Sequence, residues 1–234
     1  KQKARDQRRR AYDAFEAGLT PFQRALELVL AASSPEVESH PALRARYLDA
    51  LVHASADGDF QRLVDRALLH ASQDALGYLW AAGWQPADLH RVARRECGDH
   101  AAAVMVDAIA ARMREYPAAT VDPRWAAQID QLNATAWWAS DDEWASGWVA
   151  RHGPARSRMV EAVLHVLRLV RRLPGLPVLV PPPGKGQSGE DHRTRGQVRP
   201  PSRVGESGAS ERTLDRIRAL LAKAESTGYA EEAE

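Results

Sequence analysis

The chain has 234 residues, of which 44% are hydrophobic, so it is long enough to bury one substantial core. Its 32 Lys and Arg residues against 31 Asp and Glu residues leave a net charge of +1, which excludes strong bulk attraction to nucleic acid or to an anionic membrane. A single cysteine excludes an internal disulfide, and no apolar run approaches the ~20 residues of a membrane-spanning helix. We therefore expect a cytoplasmic protein.

Helix signals begin at residue 20. Thr20 is a cap residue, Pro21 follows it at the first helical position, and Gln23 stands where a capping box requires Glu or Gln. Pro41 opens a second segment, and the Asp-Gly-Asp turn at 57–59 begins a third. Apolar periodicity predicts further helices near residues 73–82, 86–97, 100–115, 123–132, 141–150 and 154–173.

Later helix starts carry the same signals. Asp122 and Pro123 repeat the cap-then-proline pair, and Ser140 to Glu143 fit a capping box. The run from Pro177 to Pro181 is the one β-like segment, and prolines bracket it. The sequence therefore predicts an all-α fold, a multi-helix bundle or orthogonal helical domain over residues 1–178.

Residues 179–210 differ in composition from the rest of the chain, because Pro, Gly and Ser dominate and apolar periodicity stops. This composition predicts a flexible linker. The glycines and lysine at 184–189 lack the preceding strand and following helix of a phosphate-binding loop, so no nucleotide site is predicted there. His90, Cys97 and His100 provide one close pair of metal ligands where zinc sites need two. We predict no cofactor, no catalytic residue and no small-molecule substrate.

Two short helices are predicted to meet at a glycine turn within residues 76–95. Arg91, Arg94 and Arg95 on the second helix follow i, i+3, i+4 spacing, so their side chains project together. A recognition helix places such a face in the major groove of DNA. The alternative is that these arginines form the solvated outer face of a helical hairpin.

The N-terminal ten residues hold six basic side chains against Asp6. Arg8, Arg9 and Arg10 are therefore candidate contacts to phosphate groups. The alternative is a solvated and frayed first helix.

Five of the seven tryptophans lie between residues 125 and 148. Such a density of aromatic residues either builds a core or anchors a partner. Trp137 and Trp138 are adjacent and cannot both face inward on one helix, so one of the two rings is a candidate partner anchor.

Residues 211–234 form the predicted start of a small helical module. Leu214, Ile217 and Ala224 line one face of its first helix, and Gly228 suits the exit of that helix. Arg216 and Arg218 lie on other faces and are candidate contacts to nucleic acid or to a partner. A helix of this length is marginal alone, so we expect its apolar face to dock on another surface.

The stretch IRALLAKAEST at 217–227, followed by Glu232 and Ala233, resembles the start of an uncharacterised bacterial and phage module, domain of unknown function 2786. The upstream patterns GWxPxDL at 83–89, DPRW at 122–125 and LPxLP at 173–177 are similar to the helical region that precedes this module. The resemblance implies a family without an established activity, so it assigns no catalytic residue.

These features together predict a non-enzymatic helical adaptor that binds a macromolecule, nucleic acid or protein, through its helical module, with nucleic acid or a ribonucleoprotein as the favoured partner. One alternative is the regulatory N-terminal part of an enzyme whose catalytic domain lies beyond residue 234. A second alternative is a protein–protein scaffold that uses the Trp-rich helices.

Overall fold

A computed structural model describes residues 18–53 and 58–184 of the chain. Within these ranges the chain forms nine α-helices, one short 3-10 helix and no β-strand, which confirms the all-α prediction. The remainder of the predicted linker and the whole module at 211–234 lie outside the described residues, and the predictions made for them stay predictions.

The helices follow one another closely along the chain. Their bounds are α1 Pro21–Ala32, α2 Pro35–Ser39, α3 Pro41–Val52, α4 Gly58–Ala81, α5 Pro86–Cys97, α6 Asp99–Met113, the 3-10 helix Ala118–Thr120, α7 Pro123–Gln131, α8 Trp144–His152 and α9 Arg156–Arg172.

Polar caps followed by proline begin three of these helices. The Thr20 hydroxyl accepts a hydrogen bond from the Gln23 amide at 3.2 Å, and the Gln23 side chain accepts one from the Thr20 amide at 2.8 Å. This is the predicted capping box. Ser34 caps α2 and Asp122 caps α7 in a similar way, because the side chain of each accepts a hydrogen bond from a backbone amide of its helix. Local chemistry therefore decides where these helices begin.

Helix α4 corrects a prediction of two separate helices. The polar residues between Leu69 and Leu76 weaken the apolar pattern, yet one continuous helix of 24 residues runs through them. Ser72 lies in this stretch and is buried, and its hydroxyl donates to the Leu68 carbonyl at 2.9 Å. The hydroxyl is satisfied inside the helix, and packing against α1, α6 and α9 holds the helix together.

The capping box predicted at Ser140 is wrong, because α8 begins at Trp144. The carboxylate of Asp141 is held by one local and one tertiary contact: it accepts hydrogen bonds from the Trp138 indole, three positions earlier, at 2.8 Å and from Arg114 at 2.5 Å. The Ser140 hydroxyl accepts a weak bond from the Asp142 amide at 3.4 Å, and the Ser140 carbonyl accepts a bond from the Glu143 amide at 2.9 Å. These contacts keep residues 141–143 in a turn.

The core lies around α4, α6 and α9. Helix α9 packs against α3, α4, α5, α6 and α8, and α4 packs against α1, α6, α8 and α9. Helix α6 buries five alanines, whose small side chains allow its neighbours to approach closely. None of the helices in the described ranges is both long and apolar enough to cross a membrane.

The packed domain extends past the predicted boundary at residue 178. Val180 and Pro183 are buried, and the Gly184 amide donates to the Thr120 carbonyl at 3.3 Å. Residues 179–184 therefore belong to the domain and not to the predicted linker. The β-like run from Pro177 to Pro181 forms no strand, and its prolines donate no ladder hydrogen bonds.

Candidate protein-interaction surface

Residues 173–183, which we call the strap, leave the end of α9 and cross the turn between α4 and α5 without regular secondary structure. The Trp84 indole donates to the Pro174 carbonyl at 2.7 Å, and the Leu176 amide donates to the Ala82 carbonyl at 2.7 Å. These two bonds fix the first half of the strap to the domain.

Gly83 makes this close crossing feasible. Its φ is +91°, a conformation that favours glycine, and a Cβ atom there would lie 2.4 Å from the Leu176 carbonyl oxygen. The same Cβ would lie 3.0 Å from the Pro177 carbonyl oxygen. The strap backbone thus occupies the space that any side chain at position 83 would need.

The second half of the strap is also anchored. Val180 and Pro183 are buried, and Gly184 closes the segment against Tyr116 and Thr120. The strap is therefore attached at both ends, while its middle crosses the surface.

The outward side of the strap is apolar. Large exposed hydrophobic side chains among the described residues are Tyr78 (51% exposed), Leu176 (38%), Val178 (53%) and Leu179 (74%). Three of these four belong to the strap, and Tyr78 lies one helical turn before Ala82, to which the strap is bonded. No residue from 173 to 183 is charged. Hydrophobic exposure concentrated in one place marks a candidate interaction site.

The three arginines predicted to form a recognition face lie exposed on α5, and each has a carboxylate beside it. Arg91 lies 3.5 Å from Asp88, Arg94 lies 2.9 Å from Asp99, and Arg95 lies 2.8 Å from Glu96. The structure thus brings the arginines together on one helix, but it surrounds them with an equal number of acidic groups. Such surface pairs are weak, yet they cancel the local charge. The other arginines singled out from the sequence lie outside the described residues: Arg8, Arg9, Arg10, Arg216 and Arg218.

Trp137 and Trp138 do not lie on a helix, which removes the reason for expecting one of the rings to face outward. Trp138 is buried and its indole donates to Asp141. Trp137 is half-buried and its indole donates to Asp107 at 2.9 Å. An irregular backbone lets both rings turn toward the domain, Trp138 fully and Trp137 in part.

Asp107 on α6 joins two tryptophans, a contact that sequence analysis did not predict. It is buried, and its two carboxylate oxygens accept hydrogen bonds from the Trp137 and Trp144 indoles, each at 2.9 Å. Burial raises the pKa of Asp107 above its usual range. The two indole hydrogen bonds lower this pKa, but burial is the larger effect. The carboxylate organises the core and does not face an open cleft.

Two arginines of α9 bind the C-terminal end of α1. Arg168 donates to the Ala32 carbonyl at 2.9 Å, and Arg171 donates to the carbonyl and hydroxyl of Ser33. Cations at this end of a helix satisfy its last carbonyls and complement its dipole. These arginines are therefore occupied in packing.

The candidate metal ligands are not brought together. No three His, Cys, Asp or Glu side chains within residues 18–53 and 58–184 lie close enough to share a metal ion. Cys97 is half-buried with its Sγ 4.0 Å from the His165 carbonyl, and burial raises the pKa of this thiol. A raised thiol pKa disfavours the reactive thiolate.

The sequence does not predict the strap as a surface, since the run from Pro177 to Pro181 reads only as a β-like segment bracketed by prolines. A usable signal was present in the Pro-x-x-Pro spacing of Pro174 and Pro177, which is typical of recognition segments in the polyproline II conformation.

Residues 212–234 match a family model described as protein of unknown function (DUF2786). The match covers about a tenth of the chain, so it relates this segment, and not the helical domain, to the family. No curated protein and no solved structure matches the chain.

Proposed function

We propose that the protein is a non-enzymatic helical adaptor that binds another protein through the exposed side of the strap. The observation that carries this proposal is the concentration of exposed Leu176, Val178 and Leu179 on one anchored segment. Water-exposed apolar groups at one place gain free energy when a partner covers them.

A protein partner fits this surface better than a nucleic acid does. Nucleic-acid sites need positive charge for phosphates or aromatic rings for stacked bases. The strap has neither, and the arginine face on α5 is balanced by carboxylates. Location in the cytoplasm and a bacterial or phage origin belong to this proposal as well. The first rests on the lone Cys97, and the second rests on the family resemblance at the C-terminus.

The test compares the wild type with a Val178→Asp/Leu179→Asp variant in affinity purification from native lysate. Both side chains point into solvent, so the variant is expected to fold. We expect at least one protein to be recovered about tenfold less with this variant, because a charge on each position must be desolvated at the interface.

The control is Ala42→Asp, which adds an acidic group at an exposed alanine in the first turn of α3, where negative charge is tolerated. Each protein depleted by the strap variant but not by the control is then purified and titrated against the wild type. If no protein is selectively depleted, or if no depleted protein binds directly, the proposal is wrong.

A further inference from the structure

We propose that the strap is a preformed polyproline II ligand, and that its partner is a protein domain with an aromatic-lined groove of the kind that reads Pro-x-x-Pro segments. This inference rests on the proposed function and specifies the class of partner. Four features of the strap carry it: its backbone conformation, its residue spacing, its anchoring and the charge at its start.

The backbone of the strap is preset by its prolines. Five of the eleven residues from 173 to 183 are proline, and each ring fixes φ near −65°. The residue before a proline is restricted to extended conformations, and Leu173 has φ −73° and ψ 127°. At the prolines and at the residues before them, these restrictions favour φ and ψ values near those of polyproline II.

The spacing matches recognition by a groove. Polyproline II has three residues per turn, so Pro174 and Pro177 share one ridge, and Leu176 and Leu179 share another. All four of these residues are exposed. A groove lined with aromatic rings accepts two such ridges in neighbouring pockets.

Prolines also argue against the two other ways of covering an apolar segment. Strand addition needs a row of backbone amides, but Pro174, Pro177 and Pro181 have none and the Leu176 amide is bonded to Ala82. Pairing the strap with the strap of a second copy is disfavoured for the same reason, because both segments lack backbone amides at the proline positions.

Anchoring lowers the entropy cost of binding. The strap is held by Trp84 at its beginning and by Val180, Pro183 and Gly184 at its end. A free proline-rich peptide loses conformational freedom when a groove binds it, whereas a segment already fixed in place loses less.

A basic side chain lies at the start of the strap. Arg172 is 63% exposed and lies 3.5 Å from the Glu38 carboxylate, a surface pair that an acidic partner can replace. Arg171 is not available for this contact because it binds the end of α1. We therefore expect the partner's groove to carry acidic residues at one end, next to Arg172.

The experiment uses the full chain and a panel of purified SH3, WW and EVH1 domains as probes. Binding is followed by isothermal titration calorimetry and by chemical shifts of the probe's groove tryptophan. We expect at least one probe to bind, and we expect a Pro174→Ala/Pro177→Ala variant to bind it at least about tenfold more weakly.

The control is Pro41→Ala, an exposed proline at the start of α3, which is expected to leave binding unchanged. Circular dichroism verifies that each variant is folded. If the double variant unfolds, Pro177→Ala alone is used, since alanine keeps the carbonyl at this position and replaces the fixed ring with a methyl group and a backbone N–H.

Three outcomes overturn the inference: no probe binds, binding survives the proline substitutions, or sedimentation shows that the strap pairs two copies of the chain. The adaptor proposal is tested independently of this inference. A native partner that is lost with Val178→Asp/Leu179→Asp but kept with Pro174→Ala/Pro177→Ala would retain the adaptor and exclude the polyproline mode.

Discussion

At the scale of single residues, Asp107 shows how one buried carboxylate can organise several aromatic rings. Its two oxygens face two indole donors, so each oxygen of the carboxylate accepts one hydrogen bond. The buried carboxylate is costly by itself, and the two indoles offset part of that cost. No periodicity in the sequence distinguishes this aspartate from a solvated one.

We predict that Asp107→Asn destabilises the protein by about 1–3 kcal/mol. The asparagine amide has one acceptor oxygen and one NH₂ group. The NH₂ group must therefore face one of the indole N–H groups, which is left buried without an acceptor. Chemical denaturation of the wild type and the variant measures the difference in the free energy of unfolding.

The matched background for this measurement is Trp137→Phe, which removes one of the two indole donors. In that background the amide can turn its NH₂ group toward the phenylalanine, so the cost of Asp107→Asn should fall. An equal cost in both backgrounds would contradict the proposed donor conflict.

At the scale of elements, the strap and the turn between α4 and α5 determine each other's conformation. Position 83 requires glycine, because the carbonyls of Leu176 and Pro177 occupy the space that a side chain there would need. Gly98 provides a contrast: it has a similar φ of +88° between α5 and α6, but a Cβ there would meet nothing within 4 Å. A substitution at Gly98 therefore introduces backbone strain alone, whereas a substitution at Gly83 introduces backbone strain together with a steric clash.

We predict that Gly98→Ala costs about 1–3 kcal/mol, the strain of alanine at φ +88° and ψ −178°, a region that essentially only glycine occupies, and that Gly83→Ala costs about 1–3 kcal/mol more. The additional cost comes from the clash with the strap. Thermal or chemical unfolding measures both variants.

Displacement of the strap has its own measurable signal. The indole N–H of Trp84 donates to Pro174, so its NMR resonance should shift in Gly83→Ala and remain in place in Gly98→Ala. Equal stability losses with an unmoved Trp84 resonance would show that the strap does not press on residue 83.

At the scale of the whole molecule, the charges are nearly balanced and locally paired. The net charge is +1, and the exposed arginines of α5 each stand beside a carboxylate. Long-range attraction to a polyanion depends on unbalanced charge, which this arrangement reduces.

We predict that the Arg91→Ala/Arg94→Ala/Arg95→Ala variant elutes from immobilised RNA in a salt gradient no earlier than a control triple variant does. The control replaces three exposed, paired arginines elsewhere, Arg62, Arg124 and Arg158, and so removes the same charge. A selectively earlier elution of the α5 variant would support a nucleic-acid site on that helix instead.

Several elements could be predicted from the sequence because their causes are local. The capping box at Thr20 and the Asp122 cap of α7 depend on residues three or fewer positions apart, and the structure has both. The start of α8 could not be predicted in this way, because Arg114, twenty-seven positions earlier in the chain, also holds Asp141. Likewise, the inward turn of Trp137 depends on Asp107, thirty positions earlier in the chain.

By itself, the sequence determined the all-α class and several helix starts, since apolar periodicity and polar caps act over one or two helical turns. It also contained the prolines that preset the strap. Only the tertiary structure decided where the strap lies and which of its side chains stay in water. That outcome depends on Trp84 reaching Pro174 and on Gly83 admitting Leu176, contacts between positions about ninety residues apart. Distant contacts of this kind follow from packing the helices together, and no local pattern encodes them.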